Sequence, residues 1–335
     1  MVTASARVAQ WLRETRADCV LIACSGGADS LALAYLASRH APEVAVELCA
    51  AVVDHGLQPG SREVALRARQ VCEDFGIRNS VVLPVQVQDT GSGPEAAARD
   101  ARRAALLDFA AQQHADQIWL AHTLEDQAET VLIGLTHGSG ARSLAGMSQR
   151  DGLWAGPVLS VRRHELRACL PPDVQPWEDP HNTDARFLRA RVRAEILPVL
   201  TQVLGDRALV SMTKSAALLA RDNEALDAVA GTLFDQVAER HATGLALPVA
   251  ALRAQPLAIL TRVLRIACLA AEVRARDLTM DHIDLLARLI TDRSVTGPVA
   301  LPGRVSATRV RDRLLITSAA PVAQPLSPAG HESED

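Results

Sequence analysis

Aromatic side chains are scarce: Phe, Trp and Tyr make up 3% of the 335 residues. That argues against a surface which stacks one base after another on exposed rings. The core must instead be built from Ala, Val, Leu and Ile. Lysine is nearly missing, Lys214 being the only one, so positive charge here means arginine. The six cysteines (Cys19, Cys24, Cys49, Cys72, Cys169 and Cys268) contain no C-x-x-C pair. Their spacing argues against a disulfide framework, and several sit in apolar runs where Cys acts as a small core residue. No stretch of about 18 uncharged apolar residues occurs, so no membrane span is expected. No basic segment followed by an apolar run opens the chain, so no signal peptide is read and the cytoplasm is the expected compartment. Two nucleotide motifs are also absent. There is no G-x-x-x-x-G-K-[ST], and no G-x-G-x-x-G after the first strand-like run.

What remains is a globular balance of 48% hydrophobic and 22% charged residues, long enough for two or three packed units. The formal net charge of −4 gives no global attraction to nucleic acid, so the placement of arginine matters more than its total. Residues 7–16 have helical periodicity. Residues 19–24 form a short apolar run of the kind found in buried parallel strands. A turn at 25–30 and a helix from 31 follow. The alternation repeats: strands over 44–53, 79–87 and 117–121, helices over 61–75, 95–114 and 124–135. It implies an α/β fold, a parallel sheet with helices on both faces.

Residues 136–160 are rich in Gly and Ser and are expected to be loop, and a Pro-rich stretch covers 171–180. Four regions are expected: a catalytic domain over 1–205, a helical linker over 206–243, a small α+β domain over 244–318, and a disordered tail over 319–335.

Ligands bind such sheets at the carboxyl ends of the strands, and three polar clusters fall there: 25–30, 54–56 and 122–129. Ser25-Gly-Gly-Ala-Asp-Ser30 joins the first strand to a helix. Glycines let backbone N–H groups approach an anion, and the helix start adds partial positive charge. Ser25, Gly26, Gly27, Ala28 and Ser30 are therefore candidate phosphate contacts, and Asp29 a carboxylate for a metal beside them. The plainer reading is a tight turn with Asp29 or Ser30 capping the helix. Asp126 and Glu129 are three apart on a helix and share a face, which suits Mg²⁺ or proton transfer; a solvated acidic helix start is the alternative. Asp54 and His55 follow the second strand and are either a nucleotide contact or a turn. His114, His137, His164 and His181 have no metal-like partners.

The loop resembles that of the PP-loop ATP pyrophosphatases, which cleave ATP to AMP and pyrophosphate. Within that superfamily three further segments resemble the tRNA(Ile)-lysidine synthetases: Val53-Asp-His-Gly-Leu-Gln58, Ala121-His-Thr-Leu-Glu-Asp-Gln-Ala-Glu-Thr130, and Gly140-Ala-Arg-Ser-Leu-Ala-Gly-Met147. Glu178-Asp-Pro-His-Asn182 with Phe187-Leu-Arg-Ala-Arg-Val-Arg193 is similar to a fourth. The match runs in order over residues 18–200.

The resemblance implies ligation of free L-lysine to C2 of the wobble cytidine of tRNA(Ile) with a CAU anticodon. An adenylated tRNA would be the intermediate, with ATP and Mg²⁺ required. It assigns Ser25, Gly26, Gly27, Ala28, Asp29, Ser30, Asp54 and His55 to ATP, and Asp29 and Asp126 to the metal. Asp126, Glu129, His122 and Arg102 would serve catalysis; Arg99, Arg189, Arg191 and Arg193 would serve tRNA, a solvated helix face being the alternative for the last three. Oligomeric state is not decided, and a homodimer is compatible with it. The chain departs from the family pattern at Arg103 (Tyr), Glu125 (Asp), Gly156 (Arg) and Ala190 (Asn). Another tRNA-modifying enzyme of the superfamily, or a non-catalytic adenine-nucleotide-binding module, are the alternatives.

Overall fold

The computed structural model describes residues 3–56, 60–86, 94–136, 140–179, 184, 186–241, 244–295 and 297–318. The chain divides into two compact units, Met1–Ala220 and Arg221–Asp335. The expected tail lies outside the described residues, as do Leu57, Gln58, His137 and His181.

The first unit runs α1 (Ala4–Thr15), β1 (Cys19–Cys24), α2 (Ala28–His40), β2 (Glu47–Asp54), α3 (Ser61–Asp74), β3 (Asn79–Pro84), α4 (Pro94–Gln112), β4 (Gln117–Trp119) and α5 (Leu124–Thr136). Then come α6 (Ala141–Leu144), β5 (Arg150–Asp151), β6 (Trp154–Ala155), α7 (Arg163–Arg167), α8 (Leu188–Arg191) and α9 (Leu197–Leu204). The long α10 (Arg207–Val237) spans the boundary between the units.

The sheet order is β3-β2-β1-β4-β6-β5, parallel throughout except for β5. Alternation along β1 explains why both faces are covered. Val20, Ile22 and Cys24 join Ala50 and Val52 of β2 in a core with α1, α2 and α3. Cys19 and Leu21 join Cys49, Ala51 and Ile118 in a second core, closed by Leu106, Phe109 and Ala110 of α4. Successive residues face opposite sides, so an all-apolar strand must be buried twice.

Two local expectations change. The strand expected from residue 44 begins at Glu47, because a 3₁₀ turn at Ala41–Val44, opened by Pro42, occupies its start. The stretch expected to be loop contains β5 and β6, and Trp119–Ala155 pairing extends the parallel sheet by one strand. Two-residue strands carry no readable periodicity.

The second unit continues with β7 (Glu239–His241), β8 (Gly244–Pro248), α11 (Val249–Arg253), α12 (Leu257–Ala270), α13 (Met280–Thr291), β9 (Val299–Leu301), β10 (Val305–Val310) and β11 (Arg313–Ser318). Its antiparallel sheet has the order β7-β8-β11-β10-β9. α12 and α13 bury Leu260, Val263, Leu264, Leu286 and Leu289 against it, with Ala230 and Phe234 of α10. Arg262 ties α12 to α10 through Asp227 (2.9 Å) and Asn223 (2.7 Å). Among the described residues no helix is long and apolar enough to cross a membrane.

Helix α6 lies directly on α5. A Cβ at Gly134 would collide with the carbonyl oxygen of Ser143, so only glycine permits this approach. The side-chain amide of Gln127 also clasps both backbone groups of Met147, accepting from its N–H at 2.7 Å and donating to its carbonyl at 2.9 Å. Gly134→Ala should cost about 1–3 kcal/mol, the usual price of overpacking, as a lowered urea midpoint with unchanged slope.

Candidate active site

Chain direction puts the ends of β1, β2 and β4 on one edge of the sheet. The order reverses between β1 and β4, the point at which such sheets bind ligands. The loop after β1 stands on one side. Gly26 has φ +79°, and a Cβ there would stand 3.0 Å from Ala68 on α3, so glycine is required on both counts. Ser30 is buried and braces the turn from within: its hydroxyl donates to Gly27 O (2.9 Å) and accepts from Ser25 N–H (3.1 Å). From the Pro-rich stretch, Trp177 N–H reaches Gly26 O at 2.9 Å. Ala28 opens α2 and Asp29 stands in its first turn.

On the other side is the start of α5. Asp126 Oδ2 accepts from both Thr123 N–H and Thr123 Oγ1 at 2.8 Å, so this carboxylate also caps its own helix. Its remaining oxygen faces Arg163 (2.7 Å) and Arg193 (3.0 Å). Glu129, completely buried, is gripped by Arg193 through two bonds of 2.7 and 2.9 Å. Arg189 adds an ion pair at 3.8 Å and a bond to Thr130 Oγ1 at 2.8 Å.

Arg163 joins the two sides. Its Nε lies 3.4 Å from Asp29 Oδ2, while its Nη2 contacts Asp126 and lies 3.7 Å from Glu129. One turn further on α7, Arg167 bonds Asp29 at 2.6 and 3.2 Å. Burial works to raise the pKa of Asp126; Arg163, both Thr123 donors and His122 outweigh it, and the carboxyl is held below its usual range. His122 is shifted the opposite way from a paired histidine. Burial lowers its pKa, and Arg189, Arg102 and Arg99 push it further down against the pull of Asp126. It is therefore neutral near pH 7.

Two family models match the chain: a PP-loop domain over residues 1–200 and a TilS substrate binding domain over residues 247–315. Curated tRNA(Ile)-lysidine synthases are similar over nearly the whole length. That of Thermobifida fusca is 44% identical over 303 residues, covering 89% of this chain and 91% of the relative. That of Mycobacterium tuberculosis is 42% identical, covering 90% and 91%. The chain belongs to the tRNA(Ile)-lysidine synthase family. Among solved structures, the U34-tRNA thiolase NcsA from Methanococcus maripaludis shares the fold, at TM-score 0.54 and 19% identity over 64% of this chain and 78% of that one. All six cysteines here are free, and five are buried.

Within this family frame the arginines of the 186–193 segment divide. An alternating reading groups Arg189, Arg191 and Arg193 together; a helix does not. Arg189 and Arg193 share the face turned to Glu129, and Arg191 points away to Glu195 at 3.6 Å. A π turn at Val192–Ile196 carries Arg193, closed by Leu197 N–H bonding Val192 O. Pro198 explains it, since its ring has no N–H and crowds the carbonyl four residues back. Arg99 and Arg102 are exposed on α4; both act on His122 through their field, and Arg102 acts on His55 as well.

Asp54 is spent locally: its Oδ1 accepts from Gly56 N–H (3.0 Å) and Ser61 Oγ (2.7 Å), which fixes the turn into α3. His55 Nδ1 is buried without a hydrogen-bond partner. Burial and Arg102 lower its pKa, against Asp54. His114 and His164 are exposed.

The departures from the family pattern also find places. Arg103 stacks on Trp154 at 4.2 Å, filling an aromatic's position with a cation–π contact. Glu125 accepts from Arg162 Nε and from the backbone N–H of Arg163, each at 2.8 Å. Ala190 is buried, and Gly156 N–H bonds Gln149 O. Sequence reasoning missed Arg163, Arg167 and the hold of Glu125 on Arg162 and the Arg163 backbone; the only signal was an Arg-Arg pair near the end of the unit's sheet.

Two outcomes test this electrostatic picture. Arg193→Ala strands a buried carboxylate and should cost about 3–5 kcal/mol in urea denaturation, with Glu129→Gln in the same chain restoring part of it. The folded chain disfavours charged His122, so His122 erodes stability as pH falls below its ordinary 6.5. His122→Gln should therefore lose less stability than wild type as pH falls below 6.5.

Proposed function

We propose that this chain ligates free L-lysine to C2 of the wobble cytidine of tRNA(Ile) bearing CAU, through an adenylated tRNA. The observation that carries the reading is the glycine turn after β1 joined, through Asp29 and Arg163, to Asp126 and Glu129 after β4, next to His122. Family membership supplies the substrate class.

ATP would lie along Ser25, Gly26, Gly27, Ala28, Asp29 and Ser30. The unpartnered Nδ1 of His55 offers a polar contact at the end of β2. Attack of the C2 carbonyl oxygen on the α-phosphorus forms the C–O–P linkage and expels pyrophosphate. The ε-amine of lysine then bonds to C2, and AMP leaves with the oxygen. AMP leaves far more readily than oxide, which is the reason ATP is consumed. The amine must shed a proton as the C–N bond forms. Glu129 and Asp126 are both committed to arginine, so neutral His122 is the group that takes it.

Mg²⁺ belongs to the proposal as well. Asp29 and Asp126 supply oxygen donors of the right chemistry and share one cation, the guanidinium of Arg163. Every carboxylate oxygen of the pair is engaged by arginine or Thr123, so the two would hold Mg²⁺ only with Arg163 and Arg167 displaced. The ion's contribution is to neutralise the triphosphate.

Arg99, Arg102 and Arg189 are exposed and raise the positive potential around His122, as a grip on tRNA phosphates requires. The wobble base would leave its stack to enter. Residues 244–318 would hold other parts of the tRNA, and tRNA and ATP meet in the cytoplasm.

Labelled free lysine, offered with ATP, Mg²⁺ and a tRNA(Ile) transcript bearing CAU, should be incorporated with release of AMP and pyrophosphate. Elongator tRNA(Met), which shares the anticodon, should take none. Pyrophosphate release on another acceptor only would retain the superfamily and discard this substrate. Asp126→Ala should abolish AMP formation; an active variant would remove Asp126 from the mechanism.

A further inference from the structure

We infer that Arg163 and Arg167 are ligands of the β- and γ-phosphates of ATP, carried by Asp29 until the triphosphate draws them off. The inference rests on the nucleotide reading above and adds two residues to it.

Both arginines come from α7 and are four residues apart, so they share one face of it. Both guanidiniums converge on Asp29, two residues beyond the glycine turn where the phosphates would lie. The engagement of Arg163 there is incomplete. Arg163 Nε is buried and makes no hydrogen bond, although Asp29 Oδ2 is 3.4 Å away. A buried guanidinium donor left idle is unfavourable until an acceptor arrives. Arg167 is half-exposed, and its two bonds to Asp29 lie at the surface, where a stronger anion can replace them.

Charge points the same way. Four guanidiniums, those of Arg163, Arg167, Arg189 and Arg193, face three carboxylates, those of Asp29, Asp126 and Glu129. A half-buried site with surplus positive charge favours an anion. Phosphate also matches the planar guanidinium fork better than a carboxylate already shared between two arginines. The exchange would release Asp29 for a cation on the phosphates, resolving the crowding around Arg163.

The helix need not move. Glu125 binds Arg162 with one oxygen and the backbone N–H of Arg163 with the other, anchoring α7 to α5. Arg193 is unsuited to the same exchange because it holds the buried Glu129 with two bonds. Glu125 is thus a positioning residue and the two α7 arginines are binding residues.

Calorimetric titration of ATP and of AMP into wild type, Arg163→Ala and Arg167→Ala, with Mg²⁺ and without tRNA, separates the cases. Each substitution should weaken ATP about tenfold, the equivalent of one charge-assisted hydrogen bond, and leave AMP unchanged. Arg167→Ala alters only a half-exposed side chain and keeps the test open if Arg163→Ala does not fold. Unchanged ATP affinity in Arg167→Ala, or parallel weakening of ATP and AMP, would overturn the inference. Wild type that binds no ATP would overturn the nucleotide reading itself, and this assignment with it.

Discussion

The two buried carboxylates beyond β4, those of Asp126 and Glu129, are met by arginines from later in the chain. Glu129 has no exposed surface, and an unpaired carboxylate there would cost several kcal/mol. Arg193 meets that demand from a helix 64 residues further along, and Arg163 meets it for Asp126 from 37 residues away. Helices α7 and α8 are therefore part of the active site as much as of the fold. Their apolar contribution is small, and α8 has only Ala190 buried. Leu166 buries α7 in the core, and arginine–carboxylate bonds tie both segments to the site.

The sheet explains why these charges meet at all. A parallel strand order that turns back between β1 and β4 brings two strand ends side by side. The glycine turn needs a close approach to Ala68, and α5 needs Thr123 and Asp126 to close its first turn. Three of the candidate residues are thus held by bonds that also build the scaffold. Asp126 caps a helix and faces two arginines; Ser30 braces the loop it belongs to; Asp54 fixes the turn beneath His55. The structural and functional readings of these residues are not rivals here, since one geometry serves both.

Much of this was legible in the chain. Apolar runs at 19–24 and 117–121 mark central strands because both their faces must be covered. The glycine turn between strand and helix marks an anion site for backbone reasons alone. The three-residue spacing of Asp126 and Glu129 places them on one face, as the structure shows through their common partner Arg193. Other features had no local trace. β6 is too short for periodicity, and β8 reads as a brief apolar stretch. The grouping of Arg189, Arg191 and Arg193 failed because helical geometry and a proline-induced π turn decide which of them face inward.

The sequence by itself determined the elements, their parallel arrangement, and the polar residues that stand at strand ends, because periodicity and turn chemistry act within a few residues. It also determined the family, since ordered motifs spread over 18–200 carry that identity. Only the tertiary structure decided which charges pair. Asp29 and Arg167 are 138 residues apart, and nothing in either one's neighbourhood names the other. Ion pairs form by proximity through space, so the arginine side of this site became visible only once the chain was folded.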